Sequence, residues 1–140
     1  MMKIKLAFAV NQTSEFEERH FGDTYKFLIY EFENDSFNLV SEQMNIYKNL
    51  PHGTKNKGDS ITELLKKHEI NVLISMQFGR NLSIVNKSFI PVAVSHNTPG
   101  EVMSIIKKQI HEIEDELNNN TSNYSLFTIN SGIMKSKNKA

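Results

Sequence analysis

The chain has 140 residues, enough for one domain that buries about two-thirds of the surface exposed when unfolded. Hydrophobic residues make up 39% and charged residues 23%, and 16 Lys and Arg balance 16 Asp and Glu, so no nucleic-acid surface and no anionic-membrane patch is expected. Without cysteine there are no disulfides, no thiolate nucleophile and none of the usual protein ligands of iron–sulfur clusters; no apolar run approaches the roughly 20 residues that span a bilayer, and a cytoplasmic protein is expected.

Lys3 to Val10 alternates, with Ile4, Leu6, Phe8 and Val10 on one face and Lys3, Lys5, Ala7 and Ala9 on the other, which is the period of a β-strand. The small alanines leave room for a close neighbour on the second face. Asn11 to Asp23 follows as a polar loop longer than most connections, a length that tends to carry function. It narrows to Arg19-His20-Phe21-Gly22-Asp23, where Gly allows a sharp turn and Asp23 and Thr24 can bond local backbone. Tyr25 to Glu33 and Phe37 to Met44 predict two strands, joined in a hairpin by Asn34-Asp35-Ser36. Asn45 to Asp59 is a second long loop and holds Pro51-His52-Gly53 and Gly58.

Ser60-Ile61-Thr62-Glu63 has capping-box spacing and predicts a helix from there to about His68. Val72 to Met76, continuously apolar apart from Ser75, predicts a strand covered on both faces. Gln77-Phe78-Gly79-Arg80-Asn81 reads as a loop, with Asn81 placed to cap a short helix carrying Leu82 and Val85. Phe89 to Val94 predicts a strand; Pro91 has no N–H to give a ladder, which points to a sheet edge. Thr98-Pro99-Gly100-Glu101 is a second capping box with Pro at the first helical position. Behind it Val102, Ile105, Ile106, Ile110, Ile113 and Leu117 mark one apolar stripe of a helix packed on the sheet. Tyr124 to Ile129 reads either as one more strand or as a segment that pairs with another subunit, and Lys135 to Ala140 as a solvated tail.

The order β-β-β-α-β-α-β-α predicts an α/β domain with a single mixed five-stranded sheet, one strand antiparallel, and three helices. If the first strand runs up and the second down, the loops carrying His20, His52, Phe78-Gly79-Arg80 and His96 all leave at one edge. That edge lies beyond the carboxyl ends of the parallel strands, where open α/β sheets hold ligands. His20, His52 and His96 together would make a shallow metal or metallocofactor site open to an exogenous ligand; the plainer reading is polar loops sharing an edge by chance. The main chain at Gly79 and Asn81, with the charge of Arg80, would suit an anion. Met76 offers a thioether, although a Met ending a buried strand is ordinarily core. Glu15, Glu17 and Glu18 read as a solvated acidic run with a hard-cation role as the alternative, and His68 and His111 as helix surface.

This strand order resembles the ribonuclease H-like arrangement, whose nucleases hold two metal ions on carboxylates of the central strands. Lys3 to Val10 and Val72 to Met76 contain no carboxylate, and no nucleophile elbow, Walker loop or dinucleotide fingerprint occurs, so an enzyme is not expected. Lys3 to Val10, the His20-Phe21-Gly22-Asp23 run leading into Tyr25 to Tyr30, His52-Gly53, and Val72 to Gly79 followed by Ile90-Pro91-Val92 resemble the dinitrogenase iron–molybdenum cofactor biosynthesis family of small NifX/NafY-like domains. The resemblance covers about residues 1–117. It implies a ribonuclease H-like fold that binds or carries an iron–sulfur-type cluster or its precursor without turnover, between metallocofactor donor and acceptor proteins. By position it assigns binding to His20, Phe21, Gly22, His52 and Gly53. With no cysteine in the chain, such a cluster would need its own thiol or sulfide ligands beside histidine. The alternative is a metal-free interaction or regulatory module that binds a protein or small anion at the same loop edge. Residues 118–140 form an extension outside the family core that bears on oligomeric state, a homodimer included.

Overall fold

In the computed structural model, which describes residues 3–49, 55–95, 97–130 and 132–136, the alternation of Ile4–Val10 becomes strand β1 of a seven-stranded sheet. Ile4, Leu6, Phe8 and Val10 face one apolar layer, while Ala7 and Ala9 face the other. β2 (Lys26–Glu33) runs antiparallel to β1 and β3 (Ser36–Met44) antiparallel to β2. The hairpin between them turns at Asn34 and Asp35, whose φ values of 53° and 66° give the mirror-image turn that matches strand twist. On the other side of β1, strands β4 (Val72–Ser75), β5 (Ile90–Val94) and β6 (Phe127–Asn130) add in parallel, and β7 (Ile133–Ser136) closes the sheet antiparallel to β6. The order is β3-β2-β1-β4-β5-β6-β7. Helices α1 (Lys55–Lys66) and α2 (Leu82–Val85) cover the alanine face through Ile61, Leu65 and Val85. Helices α3 (Pro99–Lys108) and α4 (Ile110–Asn119) cover the opposite face through Val102, Ile105, Ile106 and Ile113.

Several expectations are corrected. The sheet has seven strands rather than five, and the described residues form four α-helices rather than three. The segment Tyr124 to Ile129 supplies β6, which pairs with β5 of its own chain, with Phe127 and Ile129 buried in the core. It is therefore not an intersubunit strand. Lys135 and Ser136 belong to β7 rather than to a tail; residues 137–140 lie outside the described residues.

Pro91 sits in an interior strand, not at an edge. Ile90 N–H donates to Asn71 C=O on the β4 side, so alternation turns position 91 toward β6, where pairing begins only at Val92. The missing donor therefore faces a place with no ladder.

Helix α1 starts at Lys55 rather than Ser60, which lies inside it. Gly58 sits within this helix because a Cβ there would stand 2.9 Å from Asn81 Cγ. The roughly 1 kcal/mol cost of a helical glycine is offset by that close approach. Asn81 is engaged in this packing and its side chain makes no capping bond to α2. The Thr98 capping box forms as expected, with Thr98 N–H donating to Glu101 Oε1 at 2.7 Å and Glu101 N–H to Thr98 Oγ1 at 3.1 Å.

The long predicted C-terminal helix breaks in two at Gln109, with φ −118° and ψ 26°. The amide of Gln109 behaves like a strand residue: Nε2 donates to Met134 C=O at 2.8 Å, and Met134 N–H donates to Oε1 at 3.0 Å. Gln109→Ala removes both bonds. It is expected to lower stability by about 1–3 kcal/mol, read as a lower urea midpoint at unchanged slope.

Candidate functional site

Because β1, β4 and β5 are parallel neighbours, Val10, Ser75 and Val94 end at one edge of the sheet, and the loops after them share it. The loop after β1 does not stay in solvent. His20 forms an isolated parallel bridge with Gln77, and Phe21 N–H donates to Gln77 C=O at 2.8 Å. Below that stitch Phe21, fully buried, meets Phe78 with ring centroids 5.8 Å apart. The apolar side chain beneath and the main-chain bond above hold the two loops together.

A turn of 3-10 helix, Phe21–Asp23, is then clamped from two sides. From the end of β3, the buried Asn45 amide donates to Gly22 C=O and Thr24 C=O, each at 2.9 Å. From α1, Lys57 is 2% exposed, forms an ion pair with Asp23 and donates to Lys48 C=O at 2.9 Å. Gly22 lies under α1: a Cβ there would come 3.3 Å from both Ile61 Cδ1 and Lys57 Cε.

Gly79 has φ +61°, in the left-handed region that favours glycine. A Cβ on it would stand 2.8 Å from His20 Nε2 and 3.0 Å from His20 Cδ2, so the half-buried imidazole rests directly against the Gly79 α-carbon. Arg80, exposed, and Asn81 complete the same 3-10 turn, Gly79–Asn81. Alongside, a cleft of about 250 Å³ opens between the Glu15–Glu18 segment and Met76, Ser95, Asn97 and Thr98. A second polar cleft of about 250 Å³ is lined by Glu17, Arg19, Asp23 and Tyr25, with Lys48 Nζ 5.0 Å from the centroid of the Tyr25 ring.

Of the residues expected at this edge, the structure brings together His20, Phe21, Gly22, Gly79, Arg80 and Asn81, with Phe21 and Gly22 buried beneath rather than facing out. His52, Gly53 and His96 lie outside the described residues. Among the described residues no three His, Asp or Glu side chains converge in a way that would hold a metal ion. His68 is engaged elsewhere, its Nε2 3.1 Å from Gln43 Oε1, and His111 is exposed on α4.

Sequence reasoning missed Asn45 and Lys57. Lys57 is one of 16 basic side chains and fell in a stretch read as loop; only the helical start at Lys55 puts it over Gly22. The Asn45 signal was weaker still, a polar residue at a strand end.

A family model described as dinitrogenase iron-molybdenum cofactor matches residues 2–109, a span that includes β1 to β5 and both loops of the His20–Gly79 contact. No curated protein matches the chain.

Proposed function

Since the chain belongs to the dinitrogenase iron–molybdenum cofactor family, we propose that it is a small non-enzymatic carrier or assembly chaperone for an iron–sulfur- or iron–molybdenum-type cofactor or its precursor. The observation that supports this most is the imidazole of His20 seated on Gly79, where a left-handed backbone and a missing Cβ leave the ring its place. A bare ion asks a protein for three or four ligands. A preassembled cluster brings its own sulfides and asks for fewer, with hydrogen bonds to its sulfurs adding to the hold. One imidazole beside the main chain of the Gly79–Asn81 turn, with Arg80 to balance an anionic cluster, is chemistry of the second kind. His52, Gly53 and His96 would complete the site from their places in the sequence.

The order β3-β2-β1-β4-β5, with β2 reversed, supports a ribonuclease H-like relationship for this part of the sheet. Strands β1 and β4 carry no carboxylate, which favours binding over phosphodiester cleavage. The partners in this reading are the proteins that supply and receive the cofactor, in the cytoplasm. No helix among the described residues is long and apolar enough to cross a membrane.

Anaerobic titration with a chemically reconstituted iron–sulfur cluster tests the proposal, with cobalt(II) as the probe for a bare ion. The full chain is expected to take up the cluster, and His20→Ala to weaken uptake at least tenfold at unchanged far-ultraviolet circular dichroism. Equal affinity in the variant would end the reading.

A further inference from the structure

The sheet has two outer strands, and they are finished differently. On β7 the Gln109 amide occupies the N–H and C=O of Met134, the groups to which another strand would add. β3 carries no such cover among the described residues. At nine residues it is the longest strand, and it leaves Leu39, Val40 and Met44 exposed by 50%, 48% and 43%, with Ile46 just beyond it at 67%. Of the large apolar side chains exposed among the described residues, only Ile133 lies away from this margin. The bond from Asn45 N–H to Tyr25 C=O sets the phase of the ladder, so Glu42 and Met44 turn their main-chain groups outward. Met44 C=O takes the side-chain amide of its neighbour Gln43 at 2.9 Å and the main-chain N–H of Ile46 at 3.1 Å, two bonds within the same margin that an added strand would have to replace.

We propose that β3 is a self-association edge, at which two copies of this chain pair antiparallel across a twofold axis near Val40. A second copy fits because the edge is compatible with itself. Its one charged side chain, Glu42, is paired with Lys26 of the same chain at 2.8 Å. Antiparallel pairing with the axis between Val40 and Ser41 sets Glu42 opposite Leu39, whose phase across the Val40 bulge also turns its main-chain groups outward, rather than opposite its symmetry mate, so no like charges meet. A β3-to-β7 contact would propagate open chains, but the Gln109 amide already occupies the β7 side. The closed pair is what remains.

The association is weak by construction. Ile29 pairs with Ser41 and Tyr30 with Leu39, which leaves Val40 as an extra residue whose bulge limits how far a partner strand can run. The four exposed side chains make an apolar margin no larger than the largest patch of an ordinary monomer, about a few hundred Å². A standard interface takes about 800 Å² from each partner, so a weak association that depends on concentration is expected.

Sedimentation of the full chain from about 5 µM to 1 mM is the test. A monomer–dimer equilibrium is expected, and the double variant Val40→Lys/Met44→Lys is expected to stay monomeric throughout with unchanged circular dichroism. Since the chain has no cysteine, Val40→Cys installs a single thiol, which a short bismaleimide should join into a dimer-sized species far faster than it joins His111→Cys on exposed α4. Should the lysine variant fail to fold, the cross-linking comparison decides alone. A wild-type monomer at 1 mM, a dimer indifferent to the lysines, or equal cross-linking at positions 40 and 111 would overturn the proposal. Cluster uptake is read separately, so failure here leaves the cofactor reading untouched.

Discussion

Gly79→Ala is expected to weaken uptake of a reconstituted iron–sulfur cluster at least tenfold and to cost about 2 kcal/mol of stability, although it adds one methyl group. Two effects add. The first is backbone: at φ +61° the new Cβ crowds its own carbonyl, a strain on the order of 1–2 kcal/mol that glycine does not feel. The second is local contact. The methyl would arrive 2.8 Å from His20 Nε2, a separation real Cβ atoms do not tolerate, so one side must move. The main chain at His20 is bridged to Gln77 and cannot retreat without losing the Phe21-to-Gln77 bond. The imidazole ring therefore swings instead. Urea unfolding reads the first effect, and the His20 ring resonances with anaerobic cluster titration read the second. Arg80→Ala next door should change stability by less than about 0.5 kcal/mol, since Arg80 is exposed. If Gly79→Ala is destabilised yet loads cluster like wild type, the seat of His20 has no part in binding.

Asp23→Ala is expected to be the more destabilising of the two, by about 3 kcal/mol. Lys57 is almost wholly withdrawn from water and Asp23 is 23% exposed, so their attraction is little screened by solvent. Removing the carboxylate takes away a charge partner that the ammonium was desolvated to meet, while the bond to Lys48 C=O persists. Removing both charges is a different experiment. In Asp23→Ala/Lys57→Met an apolar stem of similar length lies over Gly22 and Ile61, and most of the lost stability should return. Thermal or urea unfolding of the four proteins of this cycle gives the coupling directly. A coupling energy under about 0.5 kcal/mol would show that the ion pair does not hold the Phe21–Asp23 turn. Because that turn follows His20 directly, Asp23→Ala should also loosen cluster uptake, and the double variant should restore it.

Much of the framework is legible in the amino-acid order. Ile4 to Val10 alternates so strictly that strand and buried face follow from it, and Thr98-Pro99-Gly100-Glu101 marks its helix start because Pro and the capping pair favour that one position. The direction of each strand followed from the order of elements, and with it the shared edge for the His20 and Gly79 loops. The errors have one physical source. Ser60-Ile61-Thr62-Glu63 has the spacing of a helix start, yet α1 continues back through Gly58 because that glycine packs on Asn81, a residue 23 positions away. Gln109 looked like one more position in a long helix, yet it breaks there where its amide bonds to Met134, 25 residues on. Pro91 suggested an edge because nothing nearby revealed that β6 would begin pairing one residue later.

What the amino-acid order determines alone is whatever a few neighbouring residues decide among themselves: strand and helix periods, caps, turns, and the absence of carboxylates from the central strands and of cysteine everywhere. Only the tertiary structure decided how many strands the sheet holds, that Lys57 and Asn45 clamp the loop behind His20, and that one sheet edge is covered by a distant side chain while the other carries no such cover among the described residues. Each of those depends on partners tens of residues apart. Their free energy is gained only once the chain has closed on itself, and no local pattern reports it.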